Sequence, residues 1–290
     1  SAPGPDGMKG IWRQELQLFL RQRVALPSLL LLAALSAASV WIGLAEINTQ
    51  RATIQRVATL QADEEAQVAG WVGPLGDAGD AAYYTFHATW DSPTPLAFAA
   101  LGQRDLAPYV LRVRALGLEA QIYEGENSNP ELALPGRFDW AFVLTYLAPL
   151  FVIVLLHDLV SGEREAGRFD ALQALAAAPR LLWLRRIIIR VGGLLLAVTL
   201  PLLVGTLVSG ASAGTIAATL AIATGYLTVW ALLSVLVGLR RWSSVTHAAT
   251  LAAGWLVLTL LLPALAQLRI SEAFPVRQGV ELTLAQREAI

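Results

Sequence analysis

The stretch Val191–Leu239, VGGLLLAVTLPLLVGTLVSGASAGTIAATLAIATGYLTVWALLSVLVGL, runs for 49 residues without one Asp, Glu, Lys or Arg. One membrane crossing takes about 20 apolar residues, so this run holds two helices. Ser209-Gly210-Ala211-Ser212-Ala213-Gly214 is the natural turn between them, placing spans at 186–208 and 215–239. Three further uncharged runs flank it: Val24–Ala45 (22 residues), Trp140–His157 (18) and Trp242–Leu268 (27). Each is one span, at 24–45, 138–157 and 242–268. The expected fold is therefore mainly α, a polytopic helical membrane protein with five spans. Composition agrees, since 56% of the 290 residues are hydrophobic and only 15% charged, against about 45–50% and 25% in soluble domains.

Orientation follows from the basic residues near the helix ends. Lys9, Arg13, Arg21 and Arg23 precede the first span, Arg164, Arg168, Arg180, Arg185, Arg186 and Arg190 lie between the second and third, and Arg240 and Arg241 between the fourth and fifth. These segments fall on one side of a five-span alternation, which is expected to be cytoplasmic, in a bacterial inner membrane with the N-terminus inside. The segment 46–137 then lies outside, with 12 acidic residues against 6 arginines. Residues 1–7, SAPGPDG, read as an expression scar. Residues 8–23 read as an interfacial amphipathic helix with Ile11, Trp12, Leu16, Leu18, Phe19 and Leu20 on one side and Glu15 intruding; the plainer alternative is a positive flank of the first span.

No Gly or Pro interrupts Glu46–Ala69, so the first helix is expected to continue about 36 Å past the bilayer. Gly70, Gly73, Pro74, Gly76 and Gly79 mark a loop. Tyr84–Trp90 and Tyr109–Leu116 alternate as short strands, making 46–137 a small extracytoplasmic α+β domain. In it, Trp71, Tyr83, Tyr84, Phe86 and Trp90 are read as core rather than cargo contacts. Pro201 and Pro263 lie inside spans, with a kink expected at Pro263. No internal repeat or low-complexity tract is evident.

Absences narrow the function. Lys9 is the sole lysine and no GxxxxGK[ST] motif exists, so the chain has no phosphate-cradling loop of its own. His87, His157 and His247 are far apart and cysteine is absent, which leaves no metal motif. His157-Asp158 reads as a polar helix end, and His247 as a helix-packing hydrogen bond more than part of a polar path. Asp139 and Arg190 sit near span edges, where each can reach the interface. No nucleophile–base constellation is apparent, so a membrane enzyme is the weakest reading. No nucleic-acid partner is expected.

Gly136-Arg137-Phe138-Asp139-Trp140-Ala141-Phe142-Val143-Leu144-Thr145-Tyr146-Leu147-Ala148-Pro149-Leu150, then Asp158-Leu159-Val160-Ser161-Gly162-Glu163-Arg164-Glu165-Ala166-Gly167 and Ala178-Pro179-Arg180, resemble the ABC-2 type permeases, the membrane subunits of ATP-driven exporters. Pro95–Tyr109 and Asn129–Leu132 resemble the branch of that family with a large external insert after span one. The resemblance implies a permease subunit whose residues 158–185 carry a coupling helix, about Arg168–Ala177, that docks on separate cytoplasmic ABC ATPase subunits. Those subunits would bind ATP and Mg; this chain would bind no cofactor. Glu163, Arg164, Glu165, Arg168, Phe169, Asp170, Leu172 and Leu175 are the implied docking residues, with Phe169, Leu172 and Leu175 as an apolar ridge. Without the resemblance, that ridge would serve equally as a surface lying on lipid. Other implied partners are a second permease subunit, the same or a sister chain, and membrane lipid. Arg168 departs from the Thr common after the Gly. The family has six spans, and residues 269–290 resemble the start of a second external segment, so a sixth span is expected beyond Ile290. The competing reading is a non-transporting anchor or assembly protein whose external domain recruits an envelope partner.

Overall fold

The computed structural model describes residues 5–73, 76–102, 109–113, 137–175, 178–273, 284 and 287. Five helical stretches in it are long and apolar enough to cross a membrane: Ala25–Val72, Trp140–Glu165, Pro179–Ser209, Ala213–Gly238 and Ser244–Ala273. The chain divides into two units, one of Ser1–Phe151 with Ile188–Thr228 and the other of Val152–Ile187 with Val229–Ile290.

In the first unit, α1 (Pro5–Leu20) and α2 (Ala25–Val72) meet at a short turn. The stripe that α1 turns inward is Ile11, Glu15 and Phe19, at four-residue steps, while Trp12, Leu16, Leu18 and Leu20 are exposed. Glu15 therefore belongs to the inner stripe. Arg190 holds this corner: it is buried, its guanidinium lies 5.7 Å from the Phe19 ring, and it donates to Gln22 at 3.3 Å. The sequence placed Arg190 within reach of the interface; the structure encloses it.

With no Gly or Pro between Glu46 and Ala69, α2 continues unbroken to Val72, 48 residues or about 72 Å. Its far end carries the only strands among the described residues, β1 (His87–Trp90) and β2 (Val110–Val113), paired antiparallel with Ala88 opposite Arg112. A two-stranded sheet is marginal by itself. Gln61 supports it as a strand edge would, accepting from Ala88 N–H at 2.8 Å and donating to the Phe86 carbonyl at 2.7 Å. Arg112 pairs with Glu64 at 3.1 Å and lies 4.1 Å from the Phe86 ring centre. The first strand starts later than expected: Tyr84 closes α3 (Ala78–Tyr84), a helix that Asp77 caps by accepting from Gly79 N–H, and 114–116 of the second expected strand lie outside the described residues. Trp71, Tyr83, Tyr84 and Trp90 are exposed, not core, and stack edge-on among themselves at Trp71–Tyr84 and Tyr83–Tyr84. The motif residues Gln103–Pro108 and Asn129–Leu132 lie outside the described residues.

Phe98, Ala99 and Leu101, from the quoted insert motif, are buried. Two glycines admit them. A Cβ on Gly43 of α2 would collide with the Phe98 carbonyl, and one on Gly205 of α8 (Pro179–Ser209) would come within 2.6 Å of the Phe98 ring and 2.7 Å of Val40. Asp139 fastens the same segment. One carboxylate oxygen caps α4 (Trp140–Phe142) by accepting from Phe142 N–H at 2.8 Å; the other accepts from Leu101 N–H at 2.8 Å. Ala141 N–H completes the joint on the Ala99 carbonyl, also at 2.8 Å. Asp139 is thus a buried cap, not a group reaching for the interface.

α4 runs through a π turn, Val143–Leu147, into α5 (Ala148–Leu156). Pro149 explains the turn: it has no N–H for the preceding turn, and one extra residue relieves its clash. Tyr226 of α9 (Ala213–Gly238) donates to the Thr145 carbonyl at 2.8 Å, serving a group that Pro149 cannot. In the second unit, α10 (Ser244–Leu256) passes through a π turn, Val257–Leu261, into α11 (Leu262–Ala273) ahead of Pro263. At Pro263, where a kink or break was expected, the helix is continuous and has a widened turn just before the proline. The two turns share a heptapeptide, Val-Leu-Thr-x-Leu-x-Pro, at 143–149 and 257–263. A short internal repeat therefore exists, too brief to stand out in hydropathy. α8 begins at Pro179, well suited to a first helical position, so 180–185 are helix and not loop.

Candidate docking site

The second unit contains the acidic-basic-acidic turn. α6 (Ser161–Glu165) ends in a Schellman motif: Arg168 N–H donates to the Glu163 carbonyl and Gly167 N–H to the Arg164 carbonyl, both at 2.9 Å, with Gly167 at φ +69°. A side chain at Gly167 would be strained, so the turn requires Gly. Beyond it lies α7 (Phe169–Leu175); the last two residues of the expected Arg168–Ala177 helix are outside the described set.

Each charge of α6 grips a different element of its own unit. Glu163 accepts from Arg168 Nε at 2.7 Å and from Arg186 Nη1, on α8, at 2.9 Å. Arg164 donates to the Arg240 carbonyl at 3.0 Å, where α9 has just ended, and its guanidinium lies 5.1 Å from the Phe169 ring. Glu165 accepts from Ser244 N–H at 2.7 Å and lies 3.0 Å from Ser244 Oγ, at the first turn of α10. Carboxylate charge at a helix N-terminus is favourable. Burial alone would raise the Glu163 carboxyl; the hydrogen bonds and charges of Arg168 and Arg186 outweigh it, and the group is held below the ordinary carboxylate value. Glu165 is lowered too, chiefly by the Ser244 N–H and then by its hydroxyl. Both lie past the uncharged run ending at His157.

Of the eight residues that the sequence assigned to docking, Glu163, Arg164 and Glu165 therefore brace the chain itself. Phe169 stacks on Trp183 of α8 at 6.0 Å, and Arg186 lies 5.3 Å from the Trp183 ring, so the ridge is partly covered from within. Leu172 is half-buried, Asp170 is exposed, and the Arg168 side chain is 64% exposed. The side chain of Leu175 lies outside the described residues. Among the described side chains of the eight, Arg168 and Asp170 are exposed and Leu172 is partly open.

Sequence reasoning missed a second cluster. His247 is buried, with Nδ1 3.3 Å from Ser161 Oγ; Ser161 Oγ is 2.9 Å from Ser244 Oγ, which leads to Glu165. A hydroxyl and an imidazole do meet here, 86 residues apart in the chain. Ser161 is 1% and His247 0% exposed, so the contact lies inside the helix packing. The signal available in advance was the Ser244-x-x-His247 spacing on one helix face, one turn from the charged end. Among the described residues no group of three His, Asp or Glu side chains is placed to hold a metal ion. No protein family, curated protein or solved structure matches the chain.

Proposed function

We propose that the chain is a permease subunit of an ATP-binding-cassette exporter, residing in a bacterial inner membrane with its N-terminus in the cytoplasm. It works as a pair with itself or a sister permease, and two separate ATPase subunits supply ATP and Mg chemistry. The extension of α2 and its strands form part of an external α+β domain. The observation that carries the reading is the bracing around α7. A push on this short helix moves Arg168 and the Phe169–Trp183 stack. Through Glu163 it reaches Arg186 on the third candidate span, and through Arg164 and Glu165 the ends of the fourth and the start of the fifth. A lever needs a linkage at its foot that follows its movement and open residues at its tip, and α7 has both. ATP-driven closure of the motor subunits would then widen or squeeze the path between two permeases.

The test is coupled transport in reconstituted vesicles with the co-purified ATPase. Leu172→Asp and Arg168→Glu are expected to leave the chain folded and the ATPase active while transport drops at least tenfold. Transport unchanged in both variants, or the absence of any ATPase partner after gentle solubilisation, overturns the reading. In the second case the exposed aromatics Trp71, Tyr83, Tyr84 and Trp90 favour the anchor that recruits an envelope partner.

A further inference from the structure

Beside α7 lies a cleft of about 520 Å³ lined by Arg164, Gly167, Phe169, Asp170, Gln173 and Arg241. Its chemistry is largely unspent. Arg164 uses one N–H on the Arg240 carbonyl, leaving four of the five donors that a guanidinium carries. Arg241 and Asp170 make no hydrogen bond or ion pair among the described residues. Two cations and one anion in one cleft ask for a ligand that is itself doubly charged, with an anionic group for the guanidinium pair and a cationic one for the carboxylate. Phe169 adds an apolar wall.

The position of the cleft in the chain says which molecule supplies that pattern. Arg240 and Arg241 are the first charges after the 49-residue uncharged run, and Arg164 follows soon after the 18-residue one. Trp242, next to Arg241, is 47% exposed, and half-exposed tryptophan at a span end marks headgroup depth. Basic clefts at that depth hold lipid phosphates. We propose that this cleft seats the headgroup of a phospholipid bearing a phosphate and a primary ammonium, a phosphoethanolamine lipid. The phosphate bridges Arg164 and Arg241, the ammonium donates to Asp170, and the glycerol end lies along Phe169. The lipid fills the gap between α7 and the start of α10, stiffening the foot of the helix. The inference rests on the apolar helices crossing a membrane and not on the docking of an ATPase.

The experiment is native mass spectrometry of the delipidated full chain offered lipids with identical acyl tails and phosphoethanolamine, phosphocholine or phosphoglycerol headgroups. Phosphocholine keeps both charges but its quaternary nitrogen has no N–H; phosphoglycerol lacks the cation. Phosphoethanolamine lipid is expected to be retained about tenfold better than either, the size of one charge-assisted hydrogen bond. Arg241→Ala should weaken all three, and Asp170→Asn should remove only the preference for phosphoethanolamine; both sites are exposed, and circular dichroism confirms that the variants fold. Equal retention of the three lipids, or no change in both variants, overturns the proposal. So does displacement of the lipid by equimolar soluble phosphoethanolamine, which would make the site one for the free headgroup. Loss of an ATPase subunit from Arg241→Ala with lipid retention intact would make the cleft a protein contact and overturn it as well.

Discussion

Two carboxylates organise two regions of this protein in opposite ways. Asp139 is buried and takes backbone N–H groups, those of Phe142 and Leu101, while two glycines let the Phe98 segment press against α2 and α8. Glu163 is partly exposed and takes long arginine side chains, Arg168 and Arg186. The first joint has little slack: a short side chain grips main-chain donors, and any displacement strands an N–H away from water. The second joint can stretch, since a guanidinium can follow its carboxylate on a flexible stem. Rigid joints suit a part that must hold its shape. Extensible, charged ones suit a part that is pushed.

The sharpest way to break the contrast is Asp139→Ala. It orphans two N–H groups at once and should destabilise the chain by about 3 kcal/mol, the sum of a lost cap and a buried unsatisfied donor, read as a fall in thermal midpoint in detergent. Next come the glycines. Gly43→Ala meets main chain and should cost about 2 kcal/mol, with Gly205→Ala close behind. Gly193→Ala meets only the movable Leu29 tip, and Gly192→Ala meets nothing, so both should be near neutral. A flat series would remove the interlock. Glu163→Gln should cost less, about 1 kcal/mol, because the Arg168 partner is largely in water and the Gln oxygen still accepts from Arg186, while its effect on coupled transport should exceed its effect on stability.

The pH dependence sharpens the same contrast. Glu163 and Glu165 are held below the ordinary carboxylate value, so their contribution is complete above that value and is lost as pH falls through the lower folded values. Unfolding midpoints should therefore be level from pH 7 to about 5 and fall below about 4.5, and the fall should be shallower in Glu163→Gln. A comparable effect is expected at the first π turn. Tyr226→Phe takes the donor from the Thr145 carbonyl and should cost about 1 kcal/mol. The loss should shrink in a Pro149→Ala background, where the backbone regains its own N–H.

Much of this fold was legible in the residues because it is local. An uncharged run of 49 residues is two spans whatever surrounds it, and α2 runs on to Val72 because nothing between Glu46 and Ala69 breaks a helix. The Gly167 turn and the separate short helix after it were also readable. Boundaries erred where capping prevailed over pattern: Asp77 starts a helix that ends at Tyr84, and Pro179 starts α8 before the expected Arg186. The candidate site was half legible. The charges of the Gly162–Gly167 turn were recognised as important, but their partners Arg240 and Ser244 stand 76 and 79 residues away.

The amino-acid order by itself determined how many segments enter an apolar phase and where helices must turn, since transfer out of water and backbone freedom depend on a residue and its neighbours. Only the tertiary structure decided that Asp139 is a cap, that Phe98 lies between Gly43 and Gly205, that His247 answers Ser161, and that three charges of α6 hold their own chain. Those are contacts across dozens of residues, and the hydropathy pattern of one helix does not say which distant side chain or backbone group will meet it.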